Sequence, residues 1–190
     1  MVEDIHLIQQ VLKGNQAAFR SLMERYQSYV FTIAYKVLKN RESAEEVAQD
    51  VFIKVYRMLG SYQQKSKFST WLYTIAYRTA LDEARKKKRY SLSIEADDQH
   101  LQIADEDGKS PAFDLQQADL NKQLEAAIQH LKPIDATLIT LYYLNEKNVQ
   151  EIQVITGLTK SNIKTKLFRL REQLREQLKQ QLQEEVKDLL

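Results

Sequence analysis

The sequence predicts an all-α protein made of two small helical domains joined by a flexible acidic linker. Apolar residues recur at steps of three and four along most of the 190 residues, and no strand-like alternation with hairpin turns stands out. Only four glycines and two prolines are present, which favours long helices. The apolar periodicity stops where acidic residues accumulate. We therefore expect domains at 1–92 and 114–190 and a linker at 93–113.

Composition excludes several classes of protein. The chain has no cysteine, and its three histidines are scattered without ligand spacing, so we expect no disulfide, metal or cofactor. No acid–base cluster, activated nucleophile or glycine-rich phosphate loop is present, so we expect no catalytic residues. No apolar run approaches the roughly 20 residues of a membrane span, and no signal peptide is visible. These features predict a cytoplasmic protein without direct membrane insertion.

The net charge is only +2, but basic and acidic residues are concentrated in different parts of the chain. Residues 1–92 hold 16 Lys and Arg against 9 Asp and Glu, whereas residues 91–115 hold 7 acidic residues and 1 Lys. A basic first half is typical of a nucleic-acid partner, because phosphates attract such a surface.

Three helices are expected before residue 60. The first is short and amphipathic, and Asn15 is a suitable cap for the second, Gln16–Leu38. Ser43 followed by Glu46 has the spacing of a capping box and predicts a third helix as far as Leu59.

The third helix has one apolar face and one polar stripe. Within the polar stripe Ile53 is an apolar exception, and a single exposed apolar residue usually carries no function. The polar stripe consists of Glu46, Gln49, Asp50, Ile53 and Arg57.

The stretch Phe68–Arg89 predicts a fourth helix, ending near Tyr90. It contains the only tryptophan, Trp71, and five consecutive basic residues, 85–89. An apolar stripe lies beside an aromatic and cationic stripe, a pattern that suits a helix laid against a polyanion. The alternative is a core tryptophan followed by a solvated basic helix end. The second stripe consists of Trp71, Arg78, Asp82, Arg85 and Arg89.

The second half predicts a helix-turn-helix over residues 149–171. Asn148 and Glu151 have capping-box spacing, Gly157 makes the turn, and Thr159 caps the final helix. The final helix has polar and basic residues on its outer face, which could reach phosphates and base edges in a major groove. A plain helical hairpin is the alternative. The outer-face candidates are Lys160, Ser161, Asn162, Lys164, Thr165, Phe168 and Arg169.

Four stretches together resemble a known family. They are GNQAAFRSLMERY, SAEEVAQDVFIKVYR, FSTWLYTIAYRTALDEARKKKR and NVQEIQVITGLTKSNIKTKLFRLREQL. In this order and spacing they resemble the extracytoplasmic-function sigma factors of bacterial RNA polymerase, members of the sigma-70 superfamily. Residues 14–90 resemble the region 2 domain and residues 112–178 the region 4 domain.

The resemblance implies a function and partners. Such a protein binds core RNA polymerase at its beta-prime coiled coil and beta flap, directs it to promoter DNA and promotes melting at initiation, often in a stress or envelope response. An anti-sigma factor is a further expected partner. An autonomous helix-turn-helix regulator, with the first 90 residues sensing or dimerising, is the alternative function.

The resemblance also implies residue roles. The polar stripe of the third helix would bind polymerase, and the outer face of the final helix would read the minus-35 element. The minus-ten strand would lie on the loop after the third helix and on the fourth helix. The residues implied for the minus-ten strand are Tyr62, Lys65, Ser66, Lys67, Trp71, Arg78, Asp82, Arg85, Lys86 and Arg89.

The sequence departs from the family pattern at three places. Arg78 stands where the family often has Asn, Gln64 where a loop Gly is common, and Ser161-Asn162 where Gly-Thr is common. These departures bear on which promoter is read. The tail after Leu178 is also long and continues an apolar stripe.

Overall fold

The computed structural model describes residues 2–94, 124–128 and 130–188, with side chains described for 3–90, 124–128 and 130–179. Within these ranges the chain forms helices and no strand, which confirms the all-α prediction. Almost all of the predicted linker lies outside the described residues, as do the side chains of the predicted stripe beyond residue 179.

The first half is a bundle built around its second helix. That helix packs against the other three helices of this half, and its inner face buries Leu22, Val30 and Ile33. Because Val51 and Leu72 of the neighbouring helices are also fully buried, the bundle shares one apolar core. The helices are α1 (Val2–Leu12), α2 (Gln16–Leu38), α3 (Arg41–Met58) and α4 (Phe68–Ile94), with a 3₁₀ turn at Leu59–Ser61.

Helix α1 is fixed to α2 by a buried carboxylate. The guanidinium of Arg25 donates to Asp4 at 2.7 Å, and the hydroxyl of Tyr26 donates to the same carboxylate at 2.9 Å. Burial, with the nearby Asp4 charge, raises the pKa of Tyr26 well above its usual range, so the phenol stays protonated as a donor.

The caps of α2 and α3 differ in how well they were predicted. Asn15 accepts bonds from the backbone N–H groups of Ala17 and Ala18, which confirms it as the cap of α2. The Ser43 capping box is wrong: α3 begins two residues earlier, at Arg41, and Asn40 is its cap. Asn40 accepts from both the backbone N–H and the hydroxyl of Ser43, so the serine is a donor inside the first turn.

Helix α4 continues four residues past Tyr90, to Ile94. No glycine or proline occurs between the basic run and that point, so nothing in the local sequence ends the helix at Tyr90.

Within the described part of the second half, a short helical segment at residues 124–128 comes first. Helix α5 (Pro133–Ile139) has proline at its first position, where the missing N–H costs nothing, and a π-helical turn (Thr140–Leu144) follows it. Helices α6 (Val149–Thr156) and α7 (Lys160–Asp188) complete the half.

The two halves pack against each other. Helix α4 contacts α6, and α2 contacts α5. Lys36 of α2 is 4% exposed, an unusual degree of burial for a lysine. None of the helices in the described ranges combines the length and apolar character needed to cross a bilayer.

Candidate nucleic-acid interfaces

The predicted polar stripe of α3 lies entirely on the solvent side of the first half. Val47, Val51 and Val55 are buried on the opposite face, so helical periodicity turns the stripe outward. Ile53 is 50% exposed and has polar neighbours along its own helix face. The five exposed residues are Glu46, Gln49, Asp50, Ile53 and Arg57.

The loop between α3 and α4 is folded on its own side chains. The hydroxyl of Tyr62 donates to the carbonyl oxygen of Ser66 at 2.6 Å, which closes the loop into a compact turn. Gln64 lies inside it with a φ of +57°, the left-handed conformation that favours glycine. Lys65 points into solvent and Ser66 is half-buried.

Trp71 is half-buried and packs against the loop. Its ring centroid lies 5.3 Å from that of Tyr62 and 5.8 Å from that of Phe68, which is fully buried. These contacts show Trp71 bracing the loop against α4, and its remaining exposed edge is available to a partner.

The cationic stripe of α4 is exposed and partly paired with its own carboxylates. Arg85 lies 3.2 Å from Asp82, and Lys86 lies 3.5 Å from Glu83. Exposed ion pairs of this kind contribute roughly 0–1 kcal/mol to the stability of the fold. A phosphate can therefore replace the carboxylate at little cost in free energy. The predicted residues on this surface are Arg78, Asp82, Arg85, Lys86 and Arg89, all exposed.

Two contacts between α3 and α4 were absent from the sequence predictions. The ammonium of Lys54 donates to the hydroxyl of Thr79 at 3.2 Å, and the ammonium of Lys87 contacts the hydroxyl of Ser43. They link α3 to α4 in addition to the apolar packing between the two helices. Sequence spacing gives no signal for them, because they span 25 and 44 residues.

Helices α6 and α7 have the connection expected of a helix-turn-helix. Asn148 and Glu151 form a complete capping box, as predicted. Gly157 ends α6 with a φ of +76°, which a side chain would strain, and the hydroxyl of Thr159 accepts from the backbone N–H of Asn162 at 3.3 Å.

The outer face of α7 does not pack in the core and is exposed. Ile163, Leu167 and Leu170 are buried on the inner face. Phe168 is 60% exposed, so it does not pack in the domain core and stands among polar and basic neighbours. The predicted reading residues Lys160, Ser161, Asn162, Lys164, Thr165, Phe168 and Arg169 are all exposed on this helix.

A partly buried ion pair fixes the orientation of α7. The ammonium of Lys166 lies 2.8 Å from the carboxylate of Asp135 on α5. Sequence reasoning missed this pair, since the residues are 31 positions apart. No group of three or more His, Cys, Asp or Glu in the described part of the chain is placed to hold a metal ion.

Comparison with known proteins identifies both halves. The family model of sigma-70 region 2 matches residues 22–90, and that of sigma-70 region 4 matches residues 121–174. The chain is 35% identical over 170 residues to the ECF RNA polymerase sigma factor SigW of Bacillus subtilis, covering 87% of this chain and 91% of that one. It is 28% identical over 175 residues to the RNA polymerase sigma-H factor of Pseudomonas aeruginosa, covering 90% and 91%.

Two solved structures share the fold. The sigma factor RpoE of Bartonella quintana, in complex with the anti-sigma factor NepR, aligns with a TM-score of 0.68 at 21% identity over 85% of this chain and 96% of that one. CnrH in complex with the cytosolic domain of CnrY aligns with a TM-score of 0.62 at 20% identity over 93% and 97%.

The two family matches, in this order on one chain, define a protein of the sigma-70 class. Within that class, the chain belongs to the extracytoplasmic-function sigma factors. It is a promoter-directing sigma factor, and its family consists of non-enzymatic transcription initiation factors.

Proposed function

We propose that three exposed surfaces of this chain have separate roles in transcription initiation. The α3 stripe binds the beta-prime coiled coil of core polymerase, and the Tyr62–Lys67 loop with the α4 stripe binds the melted minus-ten strand. The outer face of α7 reads the minus-35 element. In this proposal residues 1–92 and 114–190 are the two functional domains.

The observation that carries the proposal is the exposed outer face of α7. A buried inner face and an ion pair to α5 hold this helix in place, while its outer face exposes Phe168 and three cations to solvent, Lys160, Lys164 and Arg169. A helix presented in this way fits a major groove, where cations contact phosphates and an apolar group contacts a thymine methyl.

The minus-ten assignment rests on aromatic and cationic groups in one place. Tyr62 of the loop and Trp71 of α4 are in ring contact, and Lys65 of the loop and the arginines along α4 are exposed. Single strands bind such surfaces by stacking and by charge. A surface that binds only the separated strand shifts the equilibrium from duplex to open promoter.

Further partners follow from the same family. We expect the second domain to meet the beta flap and the linker to pass through the polymerase near the RNA exit route. An anti-sigma factor is an expected regulator, as NepR is for its own sigma partner. The protein would act in the cytoplasm, without catalysis of its own, in a stress or envelope response.

Run-off transcription with purified core polymerase tests this function. Core enzyme plus the protein should transcribe specifically from a subset of a promoter library, whereas core alone should not. An autonomous regulator would instead bind its site tightly without polymerase. A core enzyme that stays promoter-blind in the presence of the folded protein would refute the proposal.

A further inference from the structure

A chain of contacts runs from α1 to the loop between α3 and α4. It starts at Asp4, which is only 9% exposed and uses both oxygens of its carboxylate. Oδ1 accepts from the guanidinium of Arg25 at 2.7 Å, and Oδ2 accepts from the hydroxyl of Tyr26 at 2.9 Å. Because the guanidinium balances the buried charge, the carboxylate can hold the phenol in one place.

The ring of Tyr26 packs on α4. Its centroid lies 5.6 Å from that of Phe68, the first residue of α4, with 67° between the ring planes. It lies 6.3 Å from the centroid of Tyr73, with 78° between the planes. Phe68 and Tyr73 are each 2% exposed, so both contacts belong to the core. Since the core is close-packed and edge-to-face contacts are directional, a displaced Tyr26 ring would displace Phe68.

Phe68 supports both aromatic residues of the proposed strand-binding surface. Its ring centroid lies 5.7 Å from that of Tyr62 and 5.8 Å from that of Trp71. Tyr62 and Trp71 are half-buried and contact each other at 5.3 Å between centroids. The hydroxyl of Tyr62 also closes the loop on the carbonyl oxygen of Ser66, so its ring position and the shape of the loop are set together.

Helix α1 acts on the loop more directly as well. Burial raises the pKa of the Tyr62 phenol, and the charge of Asp4 raises it further. The phenol therefore stays protonated at neutral pH and keeps donating to Ser66. Helix α1 also contacts the 3₁₀ turn at Leu59–Ser61, from which the loop begins.

We propose that Asp4 is a positioning residue for capture of the melted minus-ten strand. Asp4 fixes the ring of Tyr26, and that ring fixes Phe68. Phe68 then sets the rings of Tyr62 and Trp71, against which an unstacked base would lie. This inference rests on the proposed role of the loop and α4 in strand binding.

Two substitutions break the chain of contacts at its start, and a third is the matched control. Asp4→Asn leaves one acceptor oxygen where the carboxylate has two, and Tyr26→Phe removes the hydroxyl but keeps the buried ring. Glu3→Gln removes the same charge from the same helix, at an exposed side chain that lies 3.0 Å from Arg25. The control therefore repeats the charge change and weakens the arginine pair, while Tyr26 keeps its acceptor.

Quenching of tryptophan fluorescence by acrylamide tests the contacts without DNA. Trp71 is the only tryptophan, so the full-length protein reports its exposure directly. Asp4→Asn and Tyr26→Phe should each raise the quenching constant at least 1.5-fold. The double variant should go no further than the larger single effect, because both changes break one bond. Glu3→Gln should leave the constant unchanged. Tyr26→Phe keeps the core filled, so it decides the result if Asp4→Asn fails to fold.

Strand binding tests the positioning role. Core polymerase is loaded with each variant and titrated with a fluorescein-labelled single strand that carries the minus-ten element of a promoter recovered by run-off transcription. Asp4→Asn should weaken binding at least fivefold, although loss of a carboxylate favours DNA electrostatically. Tyr26→Phe should weaken it in the same direction, and Glu3→Gln should bind at least as tightly as wild type. Binding to a duplex that carries only the minus-35 element should be unchanged in all three variants.

Each outcome decides the inference separately from the function. Unchanged quenching in the folded Asp4→Asn and Tyr26→Phe variants overturns the chain of contacts. Increased quenching with undiminished strand binding overturns the positioning role, and so does an equal loss of strand and minus-35 duplex binding. Run-off transcription by the wild-type protein is scored independently, so failure there refutes the proposed function and leaves the quenching result interpretable.

Discussion

At the scale of single residues, Gln64 is a strained position in the loop between α3 and α4. It adopts a φ of +57° inside a turn closed by Tyr62 and Ser66. A left-handed conformation costs a residue with a side chain about 1–2 kcal/mol. Glycine removes that strain but loses more conformational entropy on folding, by about 0.4–1 kcal/mol.

Gln64→Gly should therefore leave stability unchanged or raise it by up to about 1 kcal/mol, whereas Gln64→Val should lower it by at least 1 kcal/mol, because β-branched residues avoid this conformation. Urea unfolding followed by the fluorescence of Trp71 measures both, since Trp71 is the only tryptophan and packs against the loop. A valine variant as stable as the wild type would contradict the strained geometry.

Phe168 is a large apolar side chain that is 60% exposed, which suggests that it contacts a partner. If it contacts a thymine methyl, Phe168→Ala should weaken binding to the minus-35 element by about 0.8 kcal/mol, the value of one buried methylene-sized group. Replacing that thymine by uracil should weaken the wild-type complex equally and the variant not at all. Holoenzyme binding to matched thymine and uracil templates measures this. A variant that still distinguishes thymine from uracil would exclude the contact.

At the scale of elements, α3 has an N-terminal cap that the sequence pattern misplaced. Ser43 and Glu46 fit the capping-box spacing, but Asn40 precedes them and is also a preferred cap. Spacing alone cannot choose between two overlapping signals, because the choice depends on how the chain leaves α2. Lys39 adopts a left-handed conformation there, which ends α2 and places Asn40 next.

Asn40→Ala should lower the free energy of unfolding of the first domain by about 1 kcal/mol, the usual cost of losing an N-cap side chain. Urea titration followed by Trp71 fluorescence measures it. Glu46→Ala, at the position that the misplaced box would use, is the matched control and should change stability by less than 0.5 kcal/mol. The opposite order of effects would restore the Ser43 capping box.

The exposed stripe of α3 is the proposed contact with core polymerase, and a double substitution tests it. Ile53→Asp combined with Asp50→Lys should abolish binding to core polymerase and leave the fold intact, since both residues are exposed. Size-exclusion co-elution with core enzyme measures binding, and circular dichroism checks the fold. Leu12→Asp, which alters another half-exposed apolar residue of the same domain, is the control. Undiminished co-elution of the double variant would refute the assigned stripe.

Helices and their inner faces were predictable because they depend on short-range periodicity. The buried faces of α3, α4 and α7 followed from steps of three and four, and so did the outward position of Ile53 and Phe168. The cap at Asn148 and the turn at Gly157 depend on neighbouring residues and were also predicted.

Contacts between distant residues were not predictable. Lys166 with Asp135, and Lys147 with Ser69, carry no spacing signal, since each member alone is an ordinary polar residue. Their pairing is set by how whole helices pack. The contact of Glu151 with Lys67, at the start of α4, was not predicted for the same reason.

At the scale of the whole molecule, the two proposed nucleic-acid surfaces would both have to meet their promoter elements at once, so the spacing between those elements matters. Inserting five base pairs between the minus-35 and minus-ten elements turns one element by about half a helical turn relative to the other. Run-off transcription should fall at least tenfold, while a protein reading a single site would be unaffected. Matched templates with a substituted spacer of unchanged length provide the control. Equal transcription from the lengthened template would contradict simultaneous use of both surfaces.

The length of α7 has a practical consequence. Its last residue in the described core is Leu174, and the helix continues to Asp188. At 1.5 Å per residue those 14 residues form a rod about 21 Å long. A fluorescent protein or affinity tag fused at that end would stand off from the recognition face by the length of the rod, which makes this end suited to imaging or pull-down of the assembled polymerase.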